Sequence, residues 1–346
     1  MVAATTFTLA LYLGAAVVGA GLAFRGGELL VEAADSLGAY YRLPAVVQGA
    51  VVAAVGSSFP ELSSTIIAAA RYGAFDIGVG AVVGSAVFNI LVIPSVSALA
   101  GEGSLASNRD LVFKETQFYL LSVAVVFLMF TLAVLYDGSA DGDPFTGTLT
   151  PALGAVPLVL YGLYLFIQYT DTLEHRVKSP FNADPDAVNV EREWARLLVS
   201  LGIIVVSAEL LVRAAVGFGN AFGTSTFLWG LTVVAAGTSL PDTFVSVVAA
   251  RRGNADVSLA NVLGSNIFAL LVVLPAGVFA AGRATVSLPD VVPMMGFLVA
   301  ASVAFFAVLR TDMRLSHREA YFLVALYGVF IVWLIAESLG VTSFVG

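Results

Sequence analysis

The chain alternates long apolar runs with short polar connections. Ten apolar runs can be separated, and each is long enough to cross a bilayer, which takes about 20 helical residues. They cover residues 7–36, 44–71, 77–100, 112–136, 150–170, 196–219, 226–250, 257–281, 290–309 and 319–338. The runs are continuously apolar, whereas the strands of a membrane barrel alternate in polarity. The pattern therefore predicts an all-α polytopic membrane protein with ten transmembrane helices.

One long polar connection, residues 171–193, divides the ten runs into five and five. We therefore expect an N-terminal five-helix unit over residues 1–170, a cytoplasmic linker over 171–195, and a C-terminal five-helix unit over 196–346. The lipid bilayer is the environment that these units need.

The basic residues between the runs predict the orientation of the chain. If the N-terminus is outside, the inside connections hold Arg42, Arg109, Lys114, Arg176, Lys178, Arg192, Arg196, Arg251, Arg252, Arg310, Arg314 and Arg318. The outside connections then hold only Arg71 and Arg283. Because basic residues concentrate in cytoplasmic connections, this bias predicts a plasma-membrane protein with both termini extracellular.

Three pairs of short segments recur about 180 residues apart. The matching segments are 26–34 with 207–215, 55–61 with 236–242, and 82–89 with 262–269. The two halves are therefore expected to be duplicates. Because each half holds five spans, an odd number, the second half must be inverted relative to the first. Inverted repeats are typical of secondary transporters, whose substrate site lies near the midplane at discontinuous helices.

A proline interrupts the second and the seventh apolar run. Pro60 and Pro241 each lack an N–H, and each ring clashes with the carbonyl four residues earlier. Both helices are therefore expected to break, freeing carbonyls around Ala54–Ser57 and Ala235–Thr238. Free carbonyls at membrane depth are tolerated only where they face protein or a water-filled cavity.

An acid follows each proline, and polar oxygens surround it. The acids are Glu61 and Asp242; the neighbouring polar residues are Ser57, Ser58, Ser85, Asn89, Thr238, Ser239 and Ser265. Ca²⁺ takes six to eight such oxygens, and Na⁺ accepts the same ligand types. Two carboxylates could be neutralised by one Ca²⁺ or by two Na⁺. A proline in a membrane helix is often only a kink, but a mid-span carboxylate is functional by default.

Composition narrows the possible functions. The chain is 59% hydrophobic and 12% charged, whereas soluble domains carry about 25% charged residues. It has no cysteine, which excludes disulfides and thiolate metal sites. Its net charge of −8 argues against a nucleic-acid partner.

The motifs GSSFPEL, GTSLPD, GSAVFN and GSNIF closely resemble the two alpha-repeats of the sodium/calcium exchangers, within the calcium/cation antiporter superfamily. The resemblance covers nearly the whole chain. It implies central cation sites lined by the second, third, seventh and eighth spans, and alternating access by sliding of the first and sixth spans. The implied ligands are the side chains of Ser57, Ser58, Glu61, Ser85, Asn89, Thr238, Ser239, Asp242 and Ser265, and the backbone carbonyls of Ala54 and Ala235.

Two positions depart from the family pattern. Asp242 replaces the Glu common in prokaryotic members and resembles the potassium-dependent branch. Ala269 stands where the family has Asp or Asn. Because Ala269 lies one helical turn beyond Ser265, we expect it to face the same cavity as Asn89, with water in place of the missing oxygen. The coupling ion and the stoichiometry stay open at this point.

The sequence therefore predicts a secondary active antiporter that exchanges Na⁺ for Ca²⁺ at a midplane site. A proton-coupled Ca²⁺ exchanger and a cation channel are alternatives. An intramembrane enzyme using Glu61 and Asp242 as an acid–base dyad is disfavoured, because no nucleophile motif accompanies them. We expect Ca²⁺, Na⁺ and, in the alternative, H⁺ as transported ions, with no cofactor and no obligate protein partner.

Overall fold

The computed structural model describes residues 2–41, 54–101, 105–107, 109, 111–138, 143–175, 189–338 and 341. The helices are α1 Val2–Tyr40, α2 Ala54–Ser57, α3 Phe59–Tyr72, α4 Phe75–Leu91, α5 Ile93–Ala100, α6 Thr116–Tyr136, α7 Pro151–His175, α8 Val190–Phe222, α9 Thr226–Trp229, α10 Ala235–Thr238, α11 Leu240–Arg251, α12 Ala255–Phe268, α13 Leu274–Ala281, α14 Leu288–Arg310 and α15 His317–Ser338. Three π-helical segments cover Leu111–Glu115, Gly230–Val234 and Ala269–Val273. Four short strands are β1 Leu105–Ala106, β2 Thr146–Leu149, β3 Ala284–Ser287 and β4 Arg314–Leu315.

The fold is an all-α membrane fold. Within the described residues, eight helices are long and apolar enough to cross a membrane, and a bent pair adds a ninth candidate. That pair joins Thr226–Thr238 to Leu240–Arg251 at an angle of 43°. The second apolar run lies partly in residues 42–53, outside the described residues, as does most of the 171–195 linker. The count of ten spans, the inversion of the halves and the domain boundaries stay predictions.

The strands mark two opposite faces of the molecule. β1, after α5, pairs with β4, between α14 and α15; β2, between α6 and α7, pairs with β3, after α13. Because α14 runs from β3 to β4, the two pairs lie at its opposite ends. The third span, α4–α5, therefore ends at the β1–β4 face, whereas the eighth span, α12–α13, ends at the β2–β3 face. These two spans run in opposite directions.

Glycines allow the third and seventh spans to touch backbone to backbone. A Cβ placed on Gly80 would lie 2.3 Å from the carbonyl oxygen of Phe227, and one on Gly84 would lie 2.4 Å from that of Leu231. A Cβ on Gly230 would meet the carbonyl oxygen of Ile77 at 2.3 Å. Small residues let membrane helices approach closely without a hydrophobic driving force between them.

Helices α1 and α8 lie against each other and cover the broken spans. Ser207 on α8 donates a hydrogen bond of 2.8 Å to the carbonyl of Gly19 on α1. A Cβ on Gly27 of α1 would lie 2.7 Å from Pro241, and a Cβ on Gly237 would lie 2.7 Å from Leu211 of α8. Each long helix therefore packs directly on the break in the seventh span.

We predict that Gly80→Ala lowers stability by about 1–3 kcal/mol, because the added methyl meets a backbone oxygen that cannot rotate away. The control is Gly296→Ala in α14, where an added Cβ meets nothing within 4 Å. It should be neutral or stabilising by up to about 1 kcal/mol, since alanine favours helix over glycine. Thermal melting of the detergent-solubilised variants, followed by size-exclusion chromatography, compares them. Equal melting of both variants would contradict the close packing.

Candidate cation site

Both predicted breaks are present, and each places an acid at the start of a helix. α2 ends at Ser57 before α3 begins, and α10 ends at Thr238 before α11 begins. Pro60 and Pro241 lie in the first turn of the new helix, where a missing N–H costs no hydrogen bond. The acid that follows each proline lies in the same first turn, near the positive end of the helix dipole.

The break in the seventh span does not free the carbonyl of Ala235. Its oxygen accepts hydrogen bonds from Ser239 N at 3.0 Å and from Thr238 Oγ1 at 3.4 Å. The expectation of a free carbonyl at Ala235 is therefore wrong. The reason is that residue 239, four positions later, still carries an N–H, and Pro241 removes only the bond to Gly237. In the second span, α2 begins at Ala54, and Ser58 lies buried at the break. The backbone carbonyl of Ser58 accepts a hydrogen bond from Leu62 N at 3.1 Å.

The carboxylate of Asp242 collects donors from three other helices. It is fully buried. Its Oδ1 accepts from Ser265 Oγ at 3.0 Å, and its Oδ2 accepts from Asn89 Nδ2 at 3.3 Å. Ser57 also contributes a hydrogen bond, and its hydroxyl oxygen lies 3.3 Å from that of Ser265. Residues of α2, α4, α11 and α12 thus meet at one point.

Glu61 is the second buried acid of the cluster, with 1% of its surface exposed. Its Oε1 accepts from Ser85 Oγ at 3.4 Å, and the hydroxyl of Thr238, which donates to the carbonyl of Val234 at 3.0 Å, lies close to it. The hydroxyl oxygens of Ser85 and Ser239 lie 2.8 Å apart. Glu61 is also close enough to Asp242 for the two charges to repel each other.

The structure therefore brings most of the predicted ligand residues into one buried network. Its members are Ser57, Glu61, Ser85, Asn89, Thr238, Ser239, Asp242 and Ser265. None of the ion pairs between described residues includes either acid. The negative charge of the network is thus balanced by hydrogen bonds alone, which suits a cationic ligand.

Asn266 belongs to the network although the sequence analysis did not select it. Its Oδ1 accepts from Asn89 Nδ2 at 3.0 Å, and its own Nδ2 donates to the carbonyl of Ala86 at 3.2 Å. Asn89 Nδ2 thus donates hydrogen bonds to both Asp242 and Asn266. The signal was an amide directly beside Ser265 in the eighth apolar run, but Asn266 aligns with Ala86 in the other repeat, so comparison of the repeats conceals it.

Ala269 lies one helical turn beyond Ser265, and its orientation toward the cavity of Asn89 stays a prediction. It is buried within the main hydrophobic cluster, and the side chain of the eighth span that meets Asn89 is Asn266. Ala269 is also the first residue of a π-helical segment. The Ala269 N–H donates to the carbonyl of Ser265, the α-helical bond to the residue four positions back, so the one-turn relation between the two residues holds.

Two oxygens of the network have no hydrogen-bond partner. They are Glu61 Oε2 and Asn89 Oδ1, and both are buried. Buried polar atoms are nearly always satisfied, so each atom is a candidate ligand for a cation or a water molecule. Among the described residues, no group of three or more His, Cys, Asp or Glu could hold a metal ion. A cation here must therefore rely on two carboxylates and several neutral oxygens, the ligand type of Ca²⁺ and Na⁺.

Comparison with known proteins agrees with this chemistry. The sequence profile described as "Sodium/calcium exchanger protein" matches residues 11–170 and 193–336. The sodium/calcium exchanger MaX1 of Methanosarcina acetivorans is 28% identical over 90% of this chain and 95% of its own length. The inner membrane protein YrbG of Escherichia coli is 30% identical over 75% of this chain and 76% of its own length.

The fold is also that of a solved exchanger. The structure of the sodium-calcium exchanger NCX_Mj, soaked with Na⁺ and Sr²⁺, superposes with a TM-score of 0.62 at 24% identity. The match covers 94% of this chain and 98% of that one. The fold, the buried two-carboxylate network and a profile match over both halves agree: this chain belongs to the sodium/calcium exchanger family of membrane antiporters.

Proposed function

We propose that the protein exchanges Na⁺ for Ca²⁺ across the plasma membrane by alternating access to the buried network. The observation that carries this proposal is the pair of acids, Glu61 and Asp242, buried side by side with no cationic partner among the described residues. The pair can be neutralised by one Ca²⁺ or by two Na⁺. Competition for the same two charges couples the movements of the two ions.

The energetics of burial favour this reading. An ionised side chain near the middle of a bilayer costs about 3 kcal/mol or more when uncompensated. Occlusion of the site is therefore favourable only when bound cations balance the acids. This requirement discourages transport of an empty, doubly charged site, and so it discourages leakage of one ion without the other.

The neutral oxygens around the acids favour Na⁺ over H⁺ as the coupling ion. A proton needs only one carboxylate oxygen, whereas Na⁺ must replace several waters with protein oxygens. The hydroxyls of Ser57, Ser85 and Ser265 lie within 3.5 Å of another member of the network, where they can supply those oxygens. MaX1, similar over 90% of this chain, is named a sodium/calcium exchanger.

The proposed ligand set is the one that the resemblance implies. It comprises the side chains of Ser57, Ser58, Glu61, Ser85, Asn89, Thr238, Ser239, Asp242 and Ser265, with the carbonyls of Ala54 and Ala235. The Ala235 oxygen already accepts two hydrogen bonds, so its use by a cation requires that the Thr238 hydroxyl turn away.

Flux into reconstituted vesicles tests the proposed function. An outward Na⁺ gradient should drive ⁴⁵Ca²⁺ uptake into vesicles that contain the protein. A proton-coupled exchanger would respond to a pH gradient instead, and a channel would need neither gradient. Uptake driven only by the pH gradient would overturn the assignment of Na⁺.

We predict that Glu61→Gln and Asp242→Asn each reduce Ca²⁺ exchange about 100-fold or more. Each variant keeps the shape of the side chain but replaces one acceptor oxygen by an NH2 group and removes one charge of two, a loss of about 3 kcal/mol. The matched controls, Glu61→Asp and Asp242→Glu, keep the charge and should retain measurable exchange. Normal flux in a monodisperse, neutral variant would place the site elsewhere.

We also predict that exchange requires no K⁺. Ala269 supplies no charge to the site, so the fixed charge stays at two, although Asp242 resembles the potassium-dependent branch. Na⁺-driven Ca²⁺ flux should be unchanged when K⁺ is replaced by choline at constant ionic strength. A flux that collapses without K⁺ would assign the potassium dependence to Asp242 or to another ligand.

The orientation of the chain gives a further prediction. We expect both termini outside and the β1–β4 face inside, because the predicted inside connections hold most of the basic residues. The chain has no cysteine, so single cysteines can be introduced. An impermeant thiol reagent applied outside intact cells should label Asp141→Cys and spare Asp186→Cys. The reverse pattern would invert the topology.

A further inference from the structure

A stripe of polar side chains leads along α12 to the cation site. Its members are Asn254, Ser258, Asn261 and Ser265, spaced four, three and four residues apart. This spacing places all four on one face of a helix. Asn254 is exposed at the start of α12, whereas Ser258 and Ser265 are buried. The stripe thus runs from solvent to a hydroxyl that donates to Asp242.

Ser246 on α11 faces this stripe and completes a polar seam between the two helices. Its hydroxyl donates to the carbonyl of Ser258 at 3.4 Å and accepts from Asn261 Nδ2 at 3.1 Å. Asn261 lies one turn before Ser265 on the same face of α12, and Ser265 donates to Asp242 at 3.0 Å. Polar side chains therefore follow one another turn by turn from Asp242 toward the connection between α11 and α12.

Two oxygens in the seam have no hydrogen-bond partner. They are Asn261 Oδ1 and Ser258 Oγ, in side chains that are 8% and 0% exposed. An unsatisfied buried polar atom costs about 1–3 kcal/mol, and such atoms are normally satisfied by ordered water or an ion. Both oxygens belong to the same face of α12, one turn apart.

The seam begins beside an open cavity on the β1–β4 face. The cavity has a volume of about 300 Å³ and is lined by Ala106, Ser107 and residues 253–257. Ala106 belongs to β1, and residues 253–257 lead into α12. Solvent therefore reaches the first member of the stripe, Asn254.

The matching positions of the first half, all within the described residues, form no equivalent seam. The positions that match the stripe are Ala74, Gly78, Ala81 and Ser85, so only the residue at the site itself is polar. The counterpart of Ser246 is Thr65, and its methyl carbon would lie 2.6 Å from a Cβ on Gly78. Because α4 begins at the opposite face from α12, the polar seam serves the β1–β4 face alone.

We propose that the α11–α12 seam is a passage for partly hydrated cations between the β1–β4 face and Asp242. Asn261 and Ser258 form a transient site in it. The site is neutral, so its oxygens replace part of a hydration shell without holding the ion tightly, as passage requires. The identity of the cations, Na⁺ and Ca²⁺, rests on the proposed function; the hydration of the seam does not.

Cysteine accessibility tests this passage. Asn261→Cys and Ser258→Cys are made singly, with Ala81→Cys as the buried control from the matching position of the first half. Arg252→Cys, exposed at the same turn, reports which face a reagent reaches. A small cationic methanethiosulfonate reagent is applied to one face at a time in sealed vesicles.

We expect both seam cysteines to react at least tenfold faster than Ala81→Cys, and only from the face that labels Arg252→Cys. Saturating Na⁺ should slow the reaction. The passage is refuted if both seam cysteines react no faster than Ala81→Cys, or if they react only from the opposite face. Labelling does not require transport, so this outcome stays separate from a failure of the vesicle flux assay.

Discussion

The structure depends on one constraint: two carboxylates, one from each half, must be buried together in an apolar interior. Glu61 and Asp242 meet this constraint by lying in the first turns of broken helices, where the dipole favours a negative group. Donors then come from the opposite half, such as Asn89 to Asp242. Neither half can assemble this network alone. The hydrogen bonds that form the site are therefore also contacts that hold the two halves together.

The close packing of the surrounding helices follows from the same constraint. Hydroxyl groups are short, and Ser85 and Ser239 can lie 2.8 Å apart only if the spans that carry them almost touch. Gly80 and Gly230 provide that approach between the third and seventh spans. A larger residue at either position would separate the helices by more than a hydroxyl can bridge. Gly80 and Gly230 therefore help to hold the site hydroxyls together through the helix spacing that they allow.

Much of this arrangement could be predicted from the sequence, because apolar run length and proline position depend on local chemistry. The breaks and the acids beside them are found where they were expected. The error concerns the carbonyl of Ala235, which keeps its hydrogen bond from Ser239 N because Pro241 removes only the bond to Gly237. Asn266 was missed because the site residues were selected as matching pairs from the two repeats, and Asn266 matches an alanine, Ala86.

The two strand pairs have a mechanical consequence. Each pair ties a connection of the first half to a connection of the second, with Leu105 opposite Leu315 at one face and Thr146 opposite Ser287 at the other. A hinge movement of one half against the other would have to break the hydrogen bonds of both strand pairs. The two halves are therefore connected by hydrogen-bonded strands at both faces of the molecule. The α1–α8 pair, joined through Ser207 and Gly19, carries neither strand pair, so the alternating access that we propose would move this pair against the remaining helices.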